Sequence, residues 1–212
     1  ESAGVTDSCL ASFKGYPHLH GLYLSGFITD AGIKYIADNM QETENLVGTE
    51  KLVIKGNFTP EGIQELGKLK KIFTLTISSG SQLDLSNPQS VNFLNELPKL
   101  KGLSFMGSAK FSDLTIDKIA SVSAPSLTKL RLYMGKGSTV TDQSMMHLSK
   151  LNGLSDLYLE LPAGYRGLTS QGFVHFKSMQ NLKTIKLKNY HIQNTALAAL
   201  RQSLPNCTID VN

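Results

Sequence analysis

An L-x-x-L-x-L pattern recurs through the chain at Leu19, Leu22 and Leu24, at Leu100, Leu103 and Phe105, and at Leu127, Leu130 and Leu132. It returns at Leu154, Leu157 and Leu159 and at Leu182, Ile185 and Leu187, with weaker copies at Leu52 with Ile54 and at Ile72, Leu75 and Ile77. Counted on the last apolar residue, the steps from Leu24 to Ile54, Ile77, Phe105, Leu132, Leu159 and Leu187 are 30, 23, 28, 27, 27 and 28 residues. A fixed period of this size restricts a chain to stacked repeats, because each unit is too small to bury its own apolar faces. Within each copy the apolar positions alternate, which is the period of a short strand with one buried side.

A second motif follows the strands and reads as a helix start. Its copies begin at Thr6-Asp7, Thr29-Asp30, Thr59-Pro60, Ser112-Asp113, Thr141-Asp142 and Thr169-Ser170, with Asn87-Pro88 in the most divergent repeat. A side-chain oxygen at this position accepts a bond from the unpaired amides of the first helical turn. Asp30, Asp113 and Asp142 place negative charge where the helix dipole favours it. Pro60 loses no hydrogen bond at a first helical position and presets the backbone angle. Apolar residues then recur at three- and four-residue spacing, as in Ile33, Ile36, Ala37 and Met40 or Met145, Leu148 and Leu151, giving each helix one core-facing stripe.

Alternating strands and helices of this kind predict an α/β solenoid with a parallel sheet on the concave face and helices on the convex face. One domain over 1–212 is expected, with about seven strand-bearing repeats and partial terminal repeats. The polar stretches Asp38 to Thr49, Ser78 to Asn87, Gly135 to Ser138 and Glu160 to Gly167 read as loops within repeats, not linkers.

The paired motifs, as they stand from Leu19 to Ile33, resemble bacterial leucine-rich-repeat proteins of the kind abundant in planctomycetes. They are also similar to the cysteine-containing repeats of F-box substrate adaptors. Leu204-Pro205-Asn206-Cys207, with Ile209 and Val211, resembles the half-repeat that ends many bacterial arrays. The second and third repeats depart from the consensus. The resemblance covers nearly the whole chain and implies a right-handed horseshoe used for binding.

With 41% hydrophobic and 18% charged residues, the 212-residue chain has the composition of an ordinary soluble protein. Its 21 Lys and Arg are mixed along the sequence with 17 Asp and Glu, so no basic tract points to nucleic acid. No apolar run approaches the roughly 18 residues needed to cross a bilayer, and membrane insertion by this chain is not expected. ESAGVTDSCL lacks the segments of a signal peptide, yet Glu1 already stands close to a motif and a leader could have been removed by processing. Compartment, cytoplasmic or extracytoplasmic, is left open.

Few residues invite chemistry. Cys9 and Cys207 sit in opposite end repeats, roughly 30 Å or more apart at ~4.8 Å per strand, so no disulfide between them is expected. Both are expected to be structural, Cys9 buried in a helix and Cys207 in the terminal cap. His147 and His175 each lie six residues after their threonines, Thr141 and Thr169, but Lys118 and Ala199 stand at the matching positions of the flanking repeats. Solvated helix surface, and no metal site, is expected there. Hydrolase, metalloprotease, phosphate-loop and dinucleotide motifs are absent, so neither catalysis nor a cofactor is expected.

The residues flanking the inward leucines should form the concave surface. Its first half is small and bland, whereas its second gathers Lys129, Arg131, Tyr133, Asp156, Tyr158, Glu160, Lys186 and Lys188. Tyrosine and arginine are enriched at binding hot spots. A non-catalytic module binding a protein or peptide on the last three repeats is therefore expected, the alternative being a self-associating structural or surface component. Opposite charges that merely pair across strands would explain the same composition. A second candidate is the pair of longer loops, Met134 to Val140 and Glu160 to Leu168, with Tyr165 and Arg166 at the tip.

Overall fold

The computed structural model describes residues 5–13, 21–40, 51–80, 83–123 and 126–212. Leu19 and most of the polar stretch Asp38 to Thr49 lie outside the described residues. The strands are β1 (Val5–Thr6), β2 (Gly21–Ile28), β3 (Lys51–Gly56), β4 (Thr74–Ser79), β5 (Asp84–Leu85), β6 (Gly102–Phe111), β7 (Lys129–Met134), β8 (Asp156–Glu160), β9 (Thr184–Lys188) and β10 (Thr208–Val211). They form one sheet in the order β1-β2-β3-β4-β6-β7-β8-β9-β10, with β5 paired to β6 off this path, and every pairing is parallel.

Register follows the repeat. Leu22, Leu52, Leu75, Leu103, Leu130, Leu157, Ile185 and Ile209 form one row across the sheet. Leu24, Ile54, Ile77, Phe105, Leu132, Leu159 and Leu187 form the next, and both rows are buried. A slip of one residue would turn a whole row into solvent, so the leucine pattern itself locks neighbouring repeats in step.

Against the rows packs a layer of helices. Among the described residues four are α-helical: α1 (Asp30–Met40), α2 (Asp113–Ser123), α3 (Asp142–Leu148) and α4 (Asn194–Ser203). The others, Asp7–Phe13, Gly62–Lys68, Pro88–Glu96 and Gly172–Ser178, are 3-10 helices. Their apolar spacing did not separate the two kinds, because both bury residues three apart. A 3-10 helix rises about 2.0 Å per residue, and the shortest step, the 23 residues from Ile54 to Ile77, holds one, Gly62–Lys68. Ile33, Ile63, Leu66, Val91, Ile116, Met145, Phe173 and Phe176 fill the space between the layers.

The hydroxyl caps form as the motif predicts. Thr29, Thr59, Ser112, Thr141 and Thr169 each accept an amide of their own first turn at 3.1 to 3.3 Å, and Asn87 accepts that of Gln89 at 3.0 Å. Thr6 differs: its hydroxyl lies 2.8 Å from that of Ser8 and 3.7 Å from the Cys9 sulfur.

The aspartates do more than favour the helix dipole. Each holds the threonine of the next repeat, whose amide donates to one carboxylate oxygen and whose hydroxyl donates to the other. These distances are 3.0 and 2.5 Å for Thr29 on Asp7, and 2.9 and 2.6 Å for Thr59 on Asp30. They are 2.7 and 2.6 Å for Thr141 on Asp113, and 2.8 and 2.6 Å for Thr169 on Asp142. The Thr-Asp pair is thus a clamp between repeats as well as a cap within one. Where the aspartate is missing, substitutes appear: Ser170 accepts the Gln193 amide at 2.9 Å, and Ser112 donates to the Ser86 carbonyl at 2.6 Å.

One irregularity shapes the sheet beside the site. Gly107 and Ser108 adopt positive φ, 84 and 66°, and the β6 to β7 register shifts between Phe105 and Ala109. A Cβ on Gly107 would stand 2.3 Å from the Ser79 carbonyl oxygen, so only glycine fits this bulge.

Candidate interaction surface

The residues between the buried rows face away from the helices. Three strands, β7, β8 and β9, bring all eight predicted surface residues onto this face in register: Lys129 opposite Asp156 and then Thr184, Arg131 opposite Tyr158 and then Lys186, Tyr133 opposite Glu160 and then Lys188. Lys129, Arg131, Lys186 and Lys188 are exposed, while Tyr133, Asp156, Tyr158 and Glu160 are half-buried.

Tyr133 and Tyr158 are diagonal neighbours on adjacent strands, and their rings stack at 4.9 Å between centroids with 29° between planes. Aromatic rings reach across such diagonals in parallel with the sheet surface. The Tyr158 hydroxyl donates to Glu160 at 2.8 Å, and Lys188 pairs with the same carboxylate at 3.2 Å. Burial, followed by the adjoining Glu160 carboxylate, pushes the Tyr158 hydroxyl above its ordinary pKa, so it stays a protonated donor. Lys188, Glu160, Tyr158 and Tyr133 therefore form one linked group that holds the stack in place.

Cross-strand pairing accounts for that group and goes no further. Lys129 stands opposite Asp156 in register, yet the carboxylate takes the Ser155 hydroxyl at 2.5 Å and no ion pair forms. Among the described residues, no hydrogen bond or ion pair engages the side chains of Lys129, Arg131 or Lys186. Charge and aromatic surface remain available to solvent there.

Other predicted features fall differently. Tyr165 is a brace more than a loop tip: its half-buried hydroxyl donates to the Val140 carbonyl at 2.7 Å, tying the later loop to the earlier one. Arg166 is exposed and, with Gly164, Tyr165, Asn189, Tyr190, His191 and Asn212, lines an open depression of about 370 Å³. His175 is exposed as expected, but His147 is not simply solvated surface. Its ring is 16% exposed and its Nδ1 lies 2.8 Å from Asp117, a carboxylate one position before the Lys118 that the repeat count matched to it. His147 and Asp117 stand on neighbouring helices, α3 and α2, and the contact is set by how those helices pack, which no count along the sequence reveals. Among the described residues no group of three or more His, Cys, Asp or Glu is placed to hold a metal. Nor is any helix among them long and apolar enough to cross a membrane.

Cys9 corrects a second expectation: it is exposed, not buried, while Cys207 is half-buried. The short 3-10 turn after Thr6 buries Leu10 and leaves Cys9 facing outwards. Bonds from the Thr6 backbone and hydroxyl lower the Cys9 thiol pKa, whereas burial raises that of Cys207. Since the thiolate is the nucleophile, iodoacetamide at neutral pH is expected to label Cys9 several-fold faster than Cys207, and Thr6→Val to narrow the gap. Equal rates, read by peptide mass spectrometry, would show that the two environments do not differ chemically.

Several solved structures share this architecture. Internalin C2 of Listeria monocytogenes aligns with a TM-score of 0.59 at 19% identity, over 98% of this chain and 84% of that one. The chain folds as a leucine-rich-repeat solenoid. A leucine-rich-repeat protein of Leptospira interrogans aligns at 0.52 and 18% identity, over 91% of this chain and 48% of that one. A chain of the yeast Rad7 and Elc1 complex aligns at 0.50 and 13% identity, over 97% and 59%. By sequence, no protein-family model and no curated protein matches. In this solenoid the Tyr133–Tyr158 stack and its cations lie on the exposed face of the sheet, opposite the helical layer.

Proposed function

We propose that this solenoid is a non-catalytic module that binds a protein or peptide partner on the concave face of β7, β8 and β9. The observation that carries the reading is the stacked pair Tyr133–Tyr158, pinned by Glu160 and Lys188 and flanked by unengaged Arg131, Lys129 and Lys186. Pre-positioned aromatic rings lose little conformational freedom on binding, and arginine beside them adds directional donors. That the yeast neighbour of similar fold was solved in a complex of two proteins agrees with an interaction role.

A pull-down from the native source, using wild type and the double variant Arg131→Ala, Tyr158→Ala, tests the reading. Loss of the wild-type partner is expected, with unchanged circular dichroism showing that the solenoid is intact. A partner retained by the double variant would remove this face from consideration.

A further inference from the structure

We propose that the partner surface received by β7, β8 and β9 is an acidic polypeptide segment, its carboxylates pairing with Lys129, Arg131 and Lys186 while its chain crosses the Tyr133–Tyr158 stack. This rests on the reading above that the sheet face is where a partner docks. Charge on this face is unbalanced. Among the described residues the carboxylates on this face are Asp156, Glu160 and Asp210, against the cations Lys129, Arg131, Lys186 and Lys188, with Lys51 and Lys55 further along the same face on β3. Glu160 is consumed by Lys188 and the Tyr158 hydroxyl. Asp156 and Asp210 stand beside Lys129 and Lys186 in register without forming an ion pair. Cations left without a counter-ion on a surface favour a partner that brings one.

Spacing narrows the chemistry. Arg131 and Lys186 flank Tyr158 in a single row, two strand spacings or about 10 Å apart. An extended chain advances about 3.3 Å per residue, so acidic residues three apart on a segment running across the strands meet both cations and lay the residues between them over the rings. Lys129, two residues before Arg131 on the same strand, gives a third contact beside this line. A nucleic-acid backbone fits less well, because it carries a phosphate at every nucleotide and would meet Asp156, Glu160 and Asp210 on the same surface.

The test titrates the whole chain with fluorescein-labelled peptides bearing Glu, Gln or Lys at every third position on Gly-Ser spacers, and with a labelled oligothymidylate. Amide chemical shifts locate the binding. The Glu peptide is expected to shift amides of β7 to β9 and to bind at least about tenfold more tightly than the Gln and Lys peptides. Arg131→Glu with Lys186→Glu should weaken it by at least about tenfold, and raising salt from about 0.05 to about 0.5 M should weaken it as well. Lys99→Glu with Lys177→Glu, exposed and off this face, makes the same change in net charge and should leave the affinity unchanged. Equal binding of the Gln or Lys peptide at β7 to β9 would overturn the acidic partner and leave the face as a docking surface. Tighter binding of the oligothymidylate there would overturn both readings. A Glu peptide that shifts no amide of β7 to β9, or is indifferent to the Arg131 and Lys186 reversals, overturns the proposal.

Discussion

Asp113→Ala is expected to destabilise the solenoid by roughly 2–4 kcal/mol, although this residue belongs to no core cluster. Its carboxylate accepts the Thr141 amide at 2.7 Å, the Thr141 hydroxyl at 2.6 Å and the Ser144 hydroxyl. Removing it strands three donors at a half-buried junction between repeats. Bonds to a charged acceptor exceed neutral ones in strength, partial exposure discounts them, and the loss exceeds that of an ordinary surface charge. The effect is linked to pH. Burial opposes ionisation of Asp113, yet the bonds from Ser144 and Thr141 outweigh it and hold the carboxyl below its usual range. The stabilisation is therefore complete above the unfolded pKa, ~3.9, and is lost as pH falls through the lower folded value. Urea midpoints of wild type and Asp113→Asn should differ clearly at neutral pH and converge in acid. A constant difference down to about pH 2 would show that the carboxylate charge is not what the junction uses.

Gly62→Ala should cost about 2–3 kcal/mol, and Gly62→Ser distinctly less. A Cβ at Gly62 would stand 1.9 Å from the Asp30 Oδ1, so the methyl group must displace the clamp on Thr59. Gly32 and Gly172 stand in the same relation to Asp7 and Asp142, at 2.1 and 2.5 Å. The fourth clamp shows how a side chain is accommodated. Ser144 occupies the corresponding position and donates its hydroxyl to Asp113, replacing a clash with a bond. Thermal unfolding of the two variants decides the matter: an alanine as stable as the serine would mean that the missing Cβ, and not the aspartate, sets the spacing of the helices.

The same clamp marks where sequence reading stopped. Thr29-Asp30-Ala31-Gly32 and its relatives were legible as helix starts, because a cap bonds within its own turn and local order reveals it. The partner of each aspartate lies 22 to 29 residues later, and the glycine answers to an aspartate that distant. Similarly, His147 meets Asp117 through the packing of two neighbouring helices, and Cys9 is exposed because a 3-10 turn directs Leu10 inwards instead. All eight surface residues could be placed on one face from alternation alone, but the stack of Tyr133 on Tyr158 could not, because it depends on a diagonal between strands.

By itself, the sequence determined the solenoid: a leucine period near 27 residues forces parallel strands into register, since any slip would expose an entire apolar row. What tertiary structure alone decided is which polar groups spend their charge internally. Glu160 is satisfied by Lys188 and Tyr158, whereas Lys129, Arg131 and Lys186 stay unengaged, because bonding requires angstrom-scale approach between strands and composition records only that both signs are present.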